Sequence, residues 1–146
     1  MIISSSAFRN GDYLPEKYIR DGDNINPPLE IVNVPGFAKS LFVTLREESE
    51  VGRGKVHWVV WNINPKIEKI EEGVMPQGAV VGRNSFGTNN YIGPSVEDNV
   101  DSFIFRAYAL DGLLKLPEDT ALIDIVKEMD QNIVASAKLT CFLNNS

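Results

Sequence analysis

The hydrophobic pattern is clearest between residues 56 and 65, where apolar side chains occupy nearly every position. The segment reads Val-His-Trp-Val-Val-Trp-Asn-Ile-Asn-Pro, and such a run of β-branched and aromatic residues is typical of a strand covered on both faces. Pro65 is expected to end the strand, because proline has no N–H to donate to a sheet ladder. The sequence therefore predicts a buried strand that carries the single histidine, His57, and both tryptophans.

Further strands are predicted at residues 40–45, 78–84, 101–111 and 133–143, between turns rich in glycine, asparagine, aspartate and proline. In the long strand at 101–111, alternation places Phe103, Phe105, Ala107 and Ala109 on one face and Ile104, Tyr108 and Leu110 on the other. Residues 66–73 are polar with a few isoleucines and are expected to form a connector. Many short strands with one late helix indicate a β-sandwich or barrel, in a single domain over residues 1–146.

The one helix is predicted late in the chain. An apolar stripe at helical spacing is formed by Leu122, Ile125, Val126 and Met129. Asp119 or Thr120 is the expected N-cap, because aspartate and threonine side chains accept hydrogen bonds from the first helical N–H groups. The stripe predicts core contacts and not a cofactor site.

Composition narrows the function classes. The net charge is −6 and the acidic residues are spread along the chain, which disfavours nucleic acid and anionic membranes as partners. No window approaches the roughly 20 apolar residues of a membrane span, and the start lacks the features of a signal peptide. We therefore expect a cytoplasmic protein with no integral membrane association.

Catalytic and cofactor motifs are absent from the sequence. It has no Gly-rich nucleotide loop, no Gly-x-Ser-x-Gly and no His-Glu-x-x-His, and one histidine with one cysteine, Cys141, cannot form the usual zinc clusters. His57 beside aromatic residues is on these grounds more typical of a core histidine than of a catalytic base. We therefore predict no enzyme activity, no cofactor and no metal.

The chain resembles the phosphatidylethanolamine-binding protein family, in its short bacterial and archaeal branch of Raf-kinase-inhibitor-like proteins. The resemblance covers nearly the whole length and depends on the order and spacing of its segments. They are Ser6-Ala7-Phe8 with Asn10-Gly11, Leu14-Pro15-Glu16-Lys17-Tyr18, Asp21-Gly22, Asn26-Pro27-Pro28-Leu29, Val34-Pro35, Ala38-Lys39-Ser40-Leu41, His57-Trp58-Val59-Val60-Trp61-Asn62-Ile63, Gly82-Arg83-Asn84-Ser85-Phe86-Gly87, Tyr91-Ile92-Gly93-Pro94 and Tyr108-Ala109-Leu110-Asp111.

The resemblance implies a mainly β fold, an antiparallel β-sandwich with a C-terminal helix. It implies a non-catalytic protein with a small pocket for an anion such as phosphate or a phospholipid head group. Family members are described as ligand-binding modules and as inhibitors of kinases or serine proteases, and short members often form homodimers. A small anionic ligand, a kinase or protease target and a homodimer are thus the partners that the resemblance suggests.

Only part of the family's pocket is present when its motifs are placed on this chain. His57 matches the strand histidine, and Tyr91, Gly93 and Pro94 match the start of a glycine-proline loop. Three other motifs have changed, and their equivalents here are Glu47-Glu48-Ser49-Glu50-Val51 for Asp-Pro-Asp-Ala-Pro, Ser95-Val96-Glu97 for Cys-Pro-Pro, and Asp101-Ser102 for a His-Arg pair. The expected pocket therefore consists of Glu47, His57, Tyr91, Gly93, Pro94 and Asp101.

These changes predict a pocket with altered chemistry. Asp101 replaces an imidazole that would donate a hydrogen bond to an oxyanion, so we expect weakened binding of phosphate-like anions. Two alternatives remain open. One is a protein-interaction module in which the acidic loop of Glu47, Glu48 and Glu50 meets a basic partner. The other is a cation site where Glu47, His57 and Asp101 converge.

Overall fold

The structure is a computed structural model that describes residues 1–48 and 54–144. The described residues form nine strands, one α-helix and two short 3₁₀ turns, at Glu16–Tyr18 and Val96–Asp98. The strands and the helix are β1 (Ile2–Ser4), β2 (Asp12–Tyr13), β3 (Leu29–Val32), β4 (Ser40–Glu47), β5 (Val56–Ile63), β6 (Lys69–Ile70), β7 (Val80–Val81), β8 (Ser102–Leu110), α1 (Leu122–Asp130) and β9 (Ile133–Phe142).

The strands form two sheets. Six strands follow the order β2-β9-β8-β4-β5-β7, and three follow the order β1-β3-β6. The described pairs are antiparallel except β2 with β9, which run parallel. The predicted mainly β architecture with one C-terminal helix is confirmed. One detail differs, because residues 66–73, expected to be a connector, contribute β6 to the smaller sheet.

The central strands of the larger sheet, β4, β5 and β8, are buried on both faces. One face packs on the smaller sheet around residues such as Ile31, Phe103 and Phe105, and the other packs on α1 through Phe42, Trp61 and Ile125. The alternation predicted for 101–111 is confirmed, since Phe103, Phe105, Ala107 and Ala109 enter the first core while Tyr108 and Leu110 contact the second. No described helix has the length and apolar character that crossing a bilayer requires.

The start of α1 differs from the prediction. The helix begins at Leu122, and its N-cap residue is Ala121, whose side chain makes no capping hydrogen bond. Thr120 instead closes the preceding turn, because its backbone N–H and its hydroxyl both donate to the Pro117 carbonyl. The apolar stripe itself is confirmed, with Ile125 and Met129 buried.

Irregular pairing between β4 and β5 determines where His57 lies. Leu45 pairs with Trp58 and Arg46 pairs with Val56, so His57 is the extra residue of a β-bulge. A second register shift lies near Asn62, which has a left-handed φ of 58°. Bulges change which side chains face each side of a sheet, so Val56 shares a core with Trp61 and Ile63 shares a core with Trp58, against simple alternation along β5. The first bulge brings His57 to the end of β4 that carries Glu47.

Candidate ligand pocket around His57

His57 is hydrogen-bonded through both ring nitrogens. Its side chain is 0% exposed, and its Nδ1 lies 2.8 Å from the carbonyl oxygen of Ile92. A carbonyl can only accept, so Nδ1 carries a hydrogen and donates it. Nε2 lies 3.0 Å from Oε2 of Glu47, whose side chain is 7% exposed. The imidazole and the carboxyl therefore share one proton, as an N–H donating to a carboxylate or as an O–H donating to Nε2.

A second carboxylate, Asp98, lies next to the same ring nitrogen. Its Oδ2 is 3.7 Å from His57 Nε2, and its side chain is 2% exposed. The backbone N–H of Ser95 donates to Asp98 Oδ2 at 2.9 Å, and the Ser95 hydroxyl accepts from the N–H of Glu97. This capping box holds Asp98 on the inner side of the 3₁₀ turn.

Arg20 supplies the positive charge at the site. Its Nη2 donates to both carboxylate oxygens of Asp98, at 2.9 and 3.1 Å. The Arg20 side chain is 24% exposed, so the guanidinium lies between the buried carboxylate and solvent. A charge-assisted pair in this position offsets part of the cost of burying Asp98.

Aromatic rings enclose the imidazole. The ring centroids of Phe86 and Phe103 lie 5.2 and 5.4 Å from that of His57, both in edge-on arrangements. Phe86 also carries two cations on its face, with Arg20 Cζ at 4.6 Å and Lys55 Nζ at 5.4 Å from the ring centroid. Phe86 is 37% exposed, so it forms the boundary between the site and solvent.

The glycine-proline loop explains how Arg20 reaches Asp98. A Cβ on Gly93 would lie 2.3 Å from the carbonyl oxygen of Tyr18, so only glycine allows this approach of two backbones. Arg20 N–H then donates to the Pro94 carbonyl at 2.9 Å, and Gly93 N–H donates to Asn24 Oδ1 at 2.7 Å. Gly93 and Pro94, both predicted pocket residues, thus dock residues 18–20 beside the 3₁₀ turn.

Two predicted pocket residues are placed elsewhere. Tyr91 packs edge-on against Trp58, with ring centroids 5.6 Å apart, and lines a cavity of about 250 Å³ with neutral asparagine side chains. Asp101 is exposed and lines a different depression, beside Tyr13 and Phe142. The expectation that His57 faces Asp101 is therefore corrected to Asp98, because the capping box turns Asp98 inward while Asp101 precedes the exposed end of β8.

Arg20, Phe86 and Asp98 were missed as site residues from the sequence. The pattern Ser95-x-x-Asp98 is a visible capping-box signature, and it could have indicated the inward turn. Arg20 gives no such signal, since it is 78 positions from Asp98. Of the altered loop at 47–51, Ser49, Glu50 and Val51 lie outside the described residues, while Glu48 is exposed and accepts from the Ser102 hydroxyl at 2.7 Å.

Glu47, His57 and Asp98 are also the residues that could hold a metal ion. Their candidate ligand atoms all lie within 4.8 Å of one another. However, the Arg20 guanidinium and the proton shared by His57 and Glu47 already balance the two carboxylates. A divalent cation beside Arg20 would leave excess positive charge in a buried site, which is costly. The candidate cation site therefore contains Asp98 in place of the predicted Asp101. The charge balance of these groups argues against a bound cation.

The fold and this buried histidine site define a mainly β protein of two packed sheets, and the comparisons with known proteins identify its family. A sequence model described as phosphatidylethanolamine-binding protein matches residues 4–144. A protein of Methanothermobacter thermautotrophicus called UPF0098 protein is 36% identical over 144 residues, covering 95% of each chain. A protein of the same name from Chlamydia trachomatis is 35% identical over 145 residues, again covering 95% of each.

Solved structures give the same result. The crystal structure of a phosphatidylethanolamine-binding protein homologue from Chlamydia trachomatis has a TM-score of 0.89 and 32% identity, covering 99% of this chain and 97% of that chain. Escherichia coli YbcL shares the fold, with a TM-score of 0.87 at 23% identity and coverage of 99% and 98%. This chain belongs to the phosphatidylethanolamine-binding protein family.

Proposed function

We propose that the chain is a non-catalytic ligand-binding protein of this family whose pocket around His57 is closed to free phosphate-like anions. One observation carries the proposal. The ring nitrogen that would donate to a bound oxyanion, His57 Nε2, lies 3.0 Å from Oε2 of the buried Glu47. The family resemblance supports the ligand-binding class, and the internal contacts support the closed pocket.

Electrostatics at the site strengthen this proposal. An added anion would come close to the carboxylates of both Glu47 and Asp98. Two unit charges about 4 Å apart repel by roughly 4 kcal/mol at an effective dielectric near 20. Arg20 is already paired with Asp98, and His57 already shares a proton with Glu47, so neither of them leaves a positive charge in the pocket to attract an added anion. Free phosphate is therefore expected to stay outside the site.

The contacts of the reactive groups support a non-catalytic role. The described partners of His57 are the Ile92 carbonyl and acidic side chains, so the imidazole does not activate a described serine or cysteine. Burial raises the pKa of the Cys141 thiol to about 12, which keeps it protonated and a poor nucleophile at neutral pH. Neither residue is thus arranged for covalent catalysis.

Inhibition of a kinase or protease is the finer role that the family suggests. Glu47 cannot contribute to an acidic docking loop in this structure, because it is buried against His57. Glu48 is exposed, so a charged partner would meet Glu48. If the loop binds a basic protease such as trypsin, Glu48→Lys should weaken inhibition of the purified enzyme. Equal inhibition by the variant and the unmodified protein would exclude Glu48 from the contact with the protease.

The closed pocket is tested by titrating the protein with inorganic phosphate and with O-phosphoethanolamine. Isothermal calorimetry at neutral pH and moderate salt should show no saturable heat for either compound. A thermal-shift titration in the same buffer should show no concentration-dependent rise in Tm. Saturable binding of either compound to the unmodified protein would overturn the proposal.

A further inference from the structure

The Arg20 guanidinium uses only part of its donor set. Both described hydrogen bonds of its side chain come from Nη2 and end on Asp98. The Nε atom is buried and has no hydrogen-bond partner among the described residues. A buried donor without an acceptor is costly, and guanidinium groups typically bind oxyanions through two parallel N–H bonds. The site therefore has a donor that Asp98 does not satisfy.

Asp98 has the contacts of a bound ligand. Its carboxylate accepts from a guanidinium and from the Ser95 backbone N–H, and it lies 3.7 Å from an imidazole nitrogen. A guanidinium, an imidazole and a backbone N–H are the groups that proteins commonly use to bind carboxylates and phosphates. The 3₁₀ turn at 96–98 delivers this carboxylate from within the same chain.

A route from solvent ends at the same guanidinium. Arg20 is partly exposed, and both Arg20 and the exposed Lys55 lie over the ring of Phe86. The two cations place local positive charge at this rim, in a protein whose net charge is −6. An approaching anion would be attracted to this rim, and it would meet Arg20 before any carboxylate of the site.

From these contacts we infer that Asp98 is an internal ligand that masks an oxyanion site built from Arg20 and the Ser95 N–H, beside the His57 ring that Glu47 already holds. The inference rests on the proposed closed pocket and names Asp98 as a second group of the chain, besides Glu47, that closes it. The ligand class is a small oxyanion, either a carboxylate or a phosphate monoester, that replaces the Asp98 carboxylate and also reaches Arg20 Nε. Removing Asp98 should therefore create anion binding, which is the opposite of the usual effect of a mutation in a pocket.

The experiment compares the unmodified protein with Asp98→Ala, using inorganic phosphate and formate as probes. Phosphate should bind Asp98→Ala about tenfold more tightly than the unmodified protein, because the substitution frees the Arg20 and Ser95 donors that held the Asp98 carboxylate. Its Tm should rise with phosphate concentration, since a ligand that binds only the folded state stabilises it by mass action. If this variant is too unstable to titrate, Asp98→Ser keeps a capping hydroxyl and should gain phosphate binding in the same way.

Two controls separate a built site from general charge effects. Asp101→Ala changes the net charge by the same amount at a nearby exposed position, and it should gain no binding. Arg20→Gln combined with Asp98→Ala removes the guanidinium, and it should lose the gain.

The outcomes distinguish this inference from the proposed function. No gain in either Asp98 variant, or an equal gain in Asp101→Ala, would overturn the masked site and leave the closed pocket standing. Saturable phosphate binding to the unmodified protein would instead overturn the closed pocket itself.

Discussion

Arg20 and Asp98 lie 78 positions apart in the sequence, and a single nitrogen of the guanidinium, Nη2, is 2.9 and 3.1 Å from the two oxygens of the Asp98 carboxylate. Because the Asp98 side chain is 2% exposed, this contact joins residues 18–20 to the loop before β8 at a nearly dry position. A buried ion pair typically stabilises a fold no more than well-packed hydrophobic residues would in its place. Removing only one partner is destabilising, because it leaves a buried charge unpaired.

Arg20→Met should therefore destabilise the protein by on the order of 3 kcal/mol, because it leaves a buried carboxylate without its cation. Adding Asp98→Asn should recover much of that loss, since the amide needs no counter-charge and can still accept from Ser95. Urea denaturation of the four proteins of this cycle measures the coupling. Strictly additive effects of the two changes would show that the contact is not energetically coupled.

Gly93→Ala should destabilise the protein and disturb the placement of Arg20. The new Cβ would lie 2.3 Å from the Tyr18 carbonyl oxygen, and neither backbone can move without breaking the adjacent hydrogen bond between Arg20 N–H and Pro94. The free energy of unfolding is expected to fall by about 1–3 kcal/mol, as overpacking of this kind typically costs. Gly36→Ala is the matched control, since a Cβ there meets nothing within 4 Å. Equal stability of the two variants by thermal denaturation would contradict the close approach.

Alkaline pH should destabilise the fold, partly through Cys141. Burial raises the pKa of this thiol from 9.0 to about 12, and the folded state therefore holds the proton more tightly than the unfolded state. Its contribution to stability is complete below about pH 9 and is lost as the pH rises toward 12. Tyr18 acts in the same direction from about pH 10, because burial and a hydrogen bond to Glu72 raise its pKa to about 12.

The free energy of unfolding, measured by urea denaturation between pH 8 and 12, should fall less steeply in Cys141→Ala than in the unmodified protein. Native Cys141 should also resist thiol-specific reagents at pH 8 and react rapidly after denaturation. If the free energy of unfolding fell equally steeply with pH in both proteins, and native Cys141 reacted quickly at pH 8, the thiol would not be buried as described.

Divalent cations should leave the thermal stability unchanged. Glu47, His57 and Asp98 have the spacing of a metal site, but Arg20 already neutralises one of the two carboxylates. Thermal-shift measurements with zinc, magnesium and manganese should show no rise in Tm. The result that would contradict this is a rise in the unmodified protein that is missing in Glu47→Gln. Such a rise would favour the cation site over the closed anion pocket.

Local patterns predicted most of the large sheet, because β4, β5, β8 and β9 are long and their side chains alternate or are continuously apolar. The short strands were harder, since β6 has only two residues and is defined by its pairing with β3. The helix stripe was visible through Ile125 and Met129. The N-cap was predicted wrongly, because the Thr120 hydroxyl donates to the Pro117 carbonyl and does not cap the helix.

The site was predictable only in part. Placing the family's motifs on the chain indicated Glu47, and the structure puts this residue next to His57. The bulge that makes His57 an extra residue depends on the pairing of β4 with β5 and leaves no mark in the sequence. The contact of Arg20 with Asp98 depends on the docking of distant loops, so it could be found only in three dimensions.

The chain's own groups occupy the pocket around His57, and the histidine itself reports this occupancy. As the chain has one histidine, its ring nitrogen resonances can be assigned without ambiguity in a ¹⁵N NMR spectrum. We predict a slowly exchanging Nδ1–H, because it donates to the Ile92 carbonyl, and ring nitrogen shifts that do not move as phosphate is added to millimolar concentrations. Saturable movement of the Nε2 resonance with phosphate in the unmodified protein would contradict this prediction.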